Sequence, residues 1–169
     1  MVPALKMEII LEFVKSFRGE AAMTDWFTKY CSPELVVVAG DDTLTFDTFI
    51  RSLIALIESS PNPVIDVFDI YKLSNGVVYL NCQISGKHTE KPFSYLDYTP
   101  IPSSGCAWKN DPEILIFTPQ EDNSGAVKVP KIGKITVLAD EKAEESVKNG
   151  FVGPKGVYQQ ISISSNSPA

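Results

Sequence analysis

The stretch Val64-Ile65-Asp66-Val67-Phe68-Asp69-Ile70-Tyr71-Lys72-Leu73-Ser74-Asn75-Gly76-Val77-Val78-Tyr79-Leu80-Asn81-Cys82-Gln83-Ile84-Ser85 decides the fold. Its two halves, 64–73 and 77–85, are rich in Val, Ile, Tyr and Phe and alternate with polar residues at the period of a pleated strand. Asn75-Gly76 between them is the signal of a tight hairpin. Upstream the period changes. Ile10, Phe13, Val14 and Phe17 fall at i, i+3, i+4 and i+7, the stripe of an amphipathic helix between Pro3 and Phe17 that Gly19 stops. Met23, Trp26, Phe27 and Tyr30 mark a second helix closed by Pro33. Glu34 to Ala39 is β-branched enough for a short strand, and Gly40-Asp41-Asp42 turns the chain. Thr45 then caps a third helix, in which Phe46, Phe49, Ile50, Leu53 and Ile57 repeat until Ser59, Ser60 and Pro61 break it.

Downstream of the hairpin, Glu113 to Thr118 and Lys134 to Leu138 read as further strands of the same antiparallel sheet. Helices first and strands afterwards predict an α+β domain, with N-terminal helices packed on one curved antiparallel sheet. Residues 99–105 and 120–125 are loops by composition, and 140–148 suits a surface helix, acidic at its start and basic at its end. Val157 to Ile163 fits either a tail or an edge strand. No repeat or linker divides the chain. The expected organisation is one domain over residues 1–140 and a partly disordered C-terminal extension over 141–169.

With 169 residues, 44% of them hydrophobic and 21% charged, the chain is sized for one core and can offset its ordering entropy by burial. Fifteen basic against twenty-one acidic residues give a net charge of −6, which opposes binding to nucleic acid or to an anionic membrane. Cys31, Cys82 and Cys106 are widely spaced and odd in number, so reduced thiols in a cytoplasmic protein are expected rather than a disulfide framework. His88 is the single histidine, which leaves no ligand set for a metal site. Glu8 and Glu12 interrupt the first apolar stretch, so neither a signal peptide nor a membrane span is expected.

The order of elements, together with Gly86-Lys87-His88-Thr89, Phe93, Pro102-Ser103-Ser104-Gly105 and Gly133-Lys134-Ile135, resembles the NTF2-like superfamily and, within it, the SnoaL-like polyketide cyclase group. Glu90 departs from that pattern, standing where a glycine follows the His-Thr pair, and the next loop is longer. The resemblance implies a sheet wrapped round a cone-shaped cavity and pairing of two subunits through the sheet's outer face. It also implies a general base at the start of the strand after the motif, where Glu113 stands with Asp111 as the alternative, and His88 nearby.

The residues themselves leave two readings at each position. His88 is the one residue of the type whose unperturbed pKa lies near neutrality, hence a proton shuttle, or else a histidine at a strand end without catalytic duty. Glu113 shares a strand face with Leu115 and Phe117; if that face is inward, desolvation raises its pKa towards that of a general base, and otherwise it stays in water. Asp111 before Pro112 serves as a second acid or as a turn residue. Asp66 is in phase with Phe68 and Ile70, and Asp69 with Val67 and Tyr71, so strict alternation puts one of them among apolar groups. Trp26, Tyr30, Tyr79, Tyr95 and Trp108 provide aromatic surface for a flat apolar ligand, or plain core packing. The expected function is a small-molecule pocket protein, a cyclase or isomerase acting without cofactor on an apolar carbonyl compound. The alternative is a non-catalytic ligand-binding or homodimerisation module.

Overall fold

In the computed structural model, which describes residues 4–120, 130–141 and 150–166, the helical half is built from three segments. They are α1 (Met7–Lys15), α2 (Glu20–Tyr30) and α3 (Phe46–Ser59). Thr45 caps α3 as its side chain suggests: its Oγ1 accepts from the Thr48 N–H at 3.2 Å, while Thr48 Oγ1 accepts from the Thr45 N–H at 2.8 Å. This reciprocal box satisfies two of the donors that a helix start otherwise leaves open. Most of the stripes read from the sequence are the buried faces, with Ile10 and Phe13 from α1, Met23, Trp26 and Phe27 from α2, and Phe49, Ile50, Leu53 and Ile57 from α3.

The strands are β1 (Cys31–Ala39), β2 (Asp42–Thr45), β3 (Val64–Lys72), β4 (Val78–Lys87), β5 (Ala107–Lys109), β6 (Glu113–Pro119) and β7 (Ile132–Ala139). They form one sheet in the order β2-β1-β7-β6-β4-β3, with β5 beside β4. The hairpin forms as expected, with Tyr71 opposite Tyr79 and Val64 opposite Ser85. One expectation is corrected: the sheet is mixed, because β1 runs parallel to β7, Val37 lying opposite Ile135. Gly40 and Asp41 turn β1 into β2, so the first strand arrives as part of a hairpin of its own.

A register shift between Val67 and Asp69 inserts Phe68 as an extra residue in β3. Asp66 therefore pairs with Gln83 and Asp69 with Asn81, and opposed residues share a face. Both acids lie on the face opposite Leu80 and Cys82, so the alternation that forced one of them inward is broken by the bulge. Together with further shifts along β1 and at Thr118, this bulge adds to the bend of the sheet.

The inward face, made by Val37, Val78, Leu80, Cys82, Ile84, Leu115, Phe117, Ile135 and Val137, packs under the three helices. Val157 to Ile163, open between tail and edge strand, is helical: α4 spans Gly153–Asn166, and Val157 and Ile161 are completely buried in the same core. The residues expected to form an extension thus include a core element. Apart from Gln120, Asp140 and Glu141, the loop expected over 120–125 and the helix expected over 140–148 lie outside the described residues. No described helix is long and apolar enough to cross a membrane.

Candidate functional site

Between the helices and the sheet lies a cavity of about 40 Å³, on a measure by which one water takes about 10–15 Å³. Phe13 and Phe17 of α1, Leu53 and Leu56 of α3, Leu80 and Ile84 of β4, and Leu115 of β6 form its apolar wall. At one end the wall turns polar, with Glu113, Asn110 and the start of α4 at Gly153 and Pro154. The inward phase of Glu113 with Leu115 and Phe117 places its side chain there, only 5% exposed.

Two donors reach the carboxylate, and both reach the same oxygen. Asn110 Nδ2 donates to Glu113 Oε1 at 2.9 Å, and the Gly153 N–H donates to it at 2.5 Å. Oε2 has no hydrogen bond among the described residues and is the oxygen available to a bound molecule. Burial pushes the Glu113 pKa up to about 7; the Gly153 and Asn110 donors work against that rise, and the neighbouring Asp111 charge adds to it. Cys82, directly across from Glu113 on β4, is a buried thiol whose pKa burial and the nearby carboxylate both raise, so it stays protonated and unreactive. A carboxyl group with one oxygen held, the other free and an affinity for protons balanced near neutrality is suited to taking and returning a proton.

Gly153 stands where the approach requires glycine. Its φ of +63° lies in the left-handed region, and its amide faces Glu113 as α4 begins. Gly156, one turn on, lies so close to its neighbours that a Cβ there would fall 2.7 Å from the Phe151 carbonyl carbon and 3.1 Å from Asn110 Oδ1.

The other expected site residues are elsewhere. His88 follows β4, is fully buried and does not line the cavity. Its Nε2 lies 2.9 Å from the Lys91 carbonyl, which can only accept, and its Nδ1 lies 3.2 Å from Ser104 Oγ. The Cys106 N–H donates to that same Oγ, leaving the hydroxyl proton for Nδ1. His88 therefore staples two loop segments together. Asp111 is buried, accepts from the Gly150 N–H through Oδ2 at 2.7 Å and donates its own N–H to the Phe151 carbonyl, which anchors the chain entering α4.

None of the five aromatics reaches the cavity. Trp26 packs against Phe13, Phe27 and Tyr30 and donates its indole N–H to the Ile9 carbonyl. Trp108 lies over Gly86 and donates to Ser60 Oγ, and Tyr95 donates to Asp42 Oδ2 at 2.6 Å. Tyr79 is on the outer face, stacked on Tyr71 with ring centroids 5.1 Å apart. Its position was readable, since Leu80, Cys82 and Ile84 alternate with Asn81, Gln83 and Ser85. Asn110 was missed, and its signal is weak: one polar residue before a turn.

Helices capping one face of a curved sheet, with a cavity between the two layers, make the NTF2-like fold, which solved structures share. A candidate SnoaL-like polyketide cyclase from Jannaschia sp. CCS1 superposes with a TM-score of 0.62 at 15% identity, covering 96% of this chain and 92% of that one. The share left uncovered is smaller than α4, so the similarity takes in part of that helix. An NTF2-like protein of unknown function from Exiguobacterium sp. 255-15 (TM-score 0.53, 12% identity, 79% and 98% covered) and IdmH, a candidate polyketide cyclase from Streptomyces antibioticus (0.51, 12%, 79% and 91%), share the fold. Neither a scan against protein-family models nor a search of curated proteins gives a match.

Proposed function

We propose that the protein is a proton-transfer enzyme of the cyclase or isomerase type, acting without a cofactor on a small apolar carbonyl compound held in the cavity. The observation that carries this reading is the Glu113 carboxylate, buried at the polar end of an apolar cavity with Oε2 free. Oε2 removes a proton from the carbon next to the carbonyl. The carboxylic acid so formed donates a hydrogen bond to the enolate oxygen or returns the proton to another carbon, so one group serves as base and then as acid. The apolar wall keeps water from quenching the intermediate. No further donor is required of His88, Tyr79 or Tyr95, which lie outside the cavity.

The test is deuterium exchange at the α-carbon of acetone and cyclopentanone in D2O, followed by NMR. Exchange above the buffer rate with the native chain and its loss in Glu113→Gln support the reading, because the amide keeps the shape without the base. Exchange equal in both proteins, with binding retained, reduces the cavity to a binding pocket.

A second reading concerns the outer face. Tyr71, Tyr79, Ile116, Thr136 and Val38 follow one row of the register across that face, with Ile114 and Leu138 beside it. Tyr71, Leu138 and Val36 are each about two-fifths exposed. A second copy of the chain covering this face makes the protein a homodimer, with or without catalysis.

A further inference from the structure

We propose that Gln160 of α4 is a positioning residue for Glu113, acting through Asn110. The argument begins with backbone groups that have no choice of role. The Lys109 N–H can only donate, and it donates to Gln160 Oε1 at 2.9 Å; the Gly156 carbonyl can only accept, and Gln160 Nε2 donates to it at 3.2 Å. These two contacts fix which end of the Gln160 amide is which. Nε2 then also donates to Asn110 Oδ1 at 2.8 Å.

At Asn110 the same logic repeats, since Gly153 O can only accept and takes one Nδ2 proton at 3.0 Å. The other Nδ2 proton goes to Glu113 Oε1. A flipped Asn110 amide would set its oxygen against the carboxylate and its NH2 against that of Gln160. The relay therefore has one direction, from α4 to Gln160, Asn110 and Glu113 Oε1, and its outcome is that Oε2 is the oxygen left for the ligand. Docking of the C-terminal helix and the orientation of the reacting carboxyl are one structural event.

The inference rests on the reading of Glu113 as the reacting carboxylate, and its test needs no substrate. The probe is the proton itself, with Glu113 titrated by carboxyl 13C NMR in the full-length native chain and in Gln160→Met, which keeps length and neutrality but cannot donate. Asp111 and Cys82, the other titratable groups electrostatically coupled to the carboxyl, are unchanged in the variant. Asn110 without its partner holds Oε1 less well, so the Glu113 midpoint rises by about half a unit or more, about a threefold or greater gain in proton affinity. A folded variant with an unmoved midpoint overturns the proposal.

The native chain gives a second measurement should the variant not fold. The side-chain amide 15N resonances of Asn110 and Gln160 are followed through the Glu113 titration, and both are expected to shift with its midpoint. A shift at Asn110 with none at Gln160 breaks the relay. Because neither measurement reads turnover, absence of exchange at a ketone leaves this proposal standing, and its own failure leaves the catalytic reading standing.

Discussion

The backbone N–H of Gly153 donates to Glu113 Oε1 across 2.5 Å, joining residues 40 positions apart at the polar end of the cavity. The start of α4 thus lines the same end of the cavity as Glu113. Four consequences are open to measurement.

The Glu113 pKa lies above its ordinary value, at about 7 against 4.5, so the folded state holds that proton more tightly than the unfolded state. Below about pH 4.5 both states are protonated and folding is unaffected. As pH rises towards 7 only the unfolded state releases the proton, and stability falls; above 7 the penalty is complete, about 3 kcal/mol. Glu113→Gln has no such penalty. Urea unfolding of both proteins at pH 4.5 and 8 should show the variant gaining about 3 kcal/mol relative to the native chain over that interval, and a constant difference would remove the buried carboxylate from the account.

His88→Ala should cost about 2–4 kcal/mol, because it empties a fully buried site and removes the contacts that tie the Lys91 and Ser104 segments together. The Glu113 titration should be unmoved. A shifted titration in a folded variant would restore His88 to the site.

Ile161→Ala removes a completely buried side chain from α4 and should cost about 2–4 kcal/mol, whereas Ser164→Ala on an exposed turn should stay within about 0.5 kcal/mol. Gly156→Ala should be at least as damaging as Ile161→Ala, since the new methyl meets the Phe151 backbone. Denaturant midpoints settle the order, and equal small effects would mean that α4 does not stay docked in solution.

Sedimentation equilibrium of the native chain should give twice the monomer mass of 18.6 kDa. Leu138→Lys, a charge on the exposed outer face, should return it to monomer without changing the fold. A native monomer at micromolar concentration would leave the outer face without a second copy.

What could be read in advance was whatever a short run decides alone. Thr45 as a helix cap, Asn75-Gly76 and the apolar stripes carry their own geometry, and the inward phase of Glu113 follows from two neighbours on its strand. Pairing was less accessible. Nothing in Cys31–Ala39 says that its partner is Ile132–Ala139 or that the two run parallel, because that choice is made by how the helices fold back. Phe68 offers no sign that it will bulge, and one extra residue reverses the face of everything after it.

The C-terminal segment misled for a related reason. Ile161 and Ile163 suggest a period of two, yet Val157 and Ile161 are one helical turn apart and Pro154 sits in the first turn, where its missing N–H costs nothing. The aromatics were ambiguous because Trp26, Trp108 and Tyr95 find hydrogen-bond partners for their polar tips in the core. Those partners come from Ile9, Ser60 and Asp42, remote in sequence.

The parallel pairing of β1 with β7 also bears on how the molecule is made. As the chain leaves the ribosome, β1 meets β2 at once, but its other edge has no partner until Ile132–Ala139 has been synthesised. Until then Val36–Ala39 presents open N–H and carbonyl groups beside Val36 and Val38. Closing the sheet across so long a loop is slow. A chain stalled before Ile132 carries a bare apolar edge for that whole interval, the form in which strand-rich intermediates associate with one another.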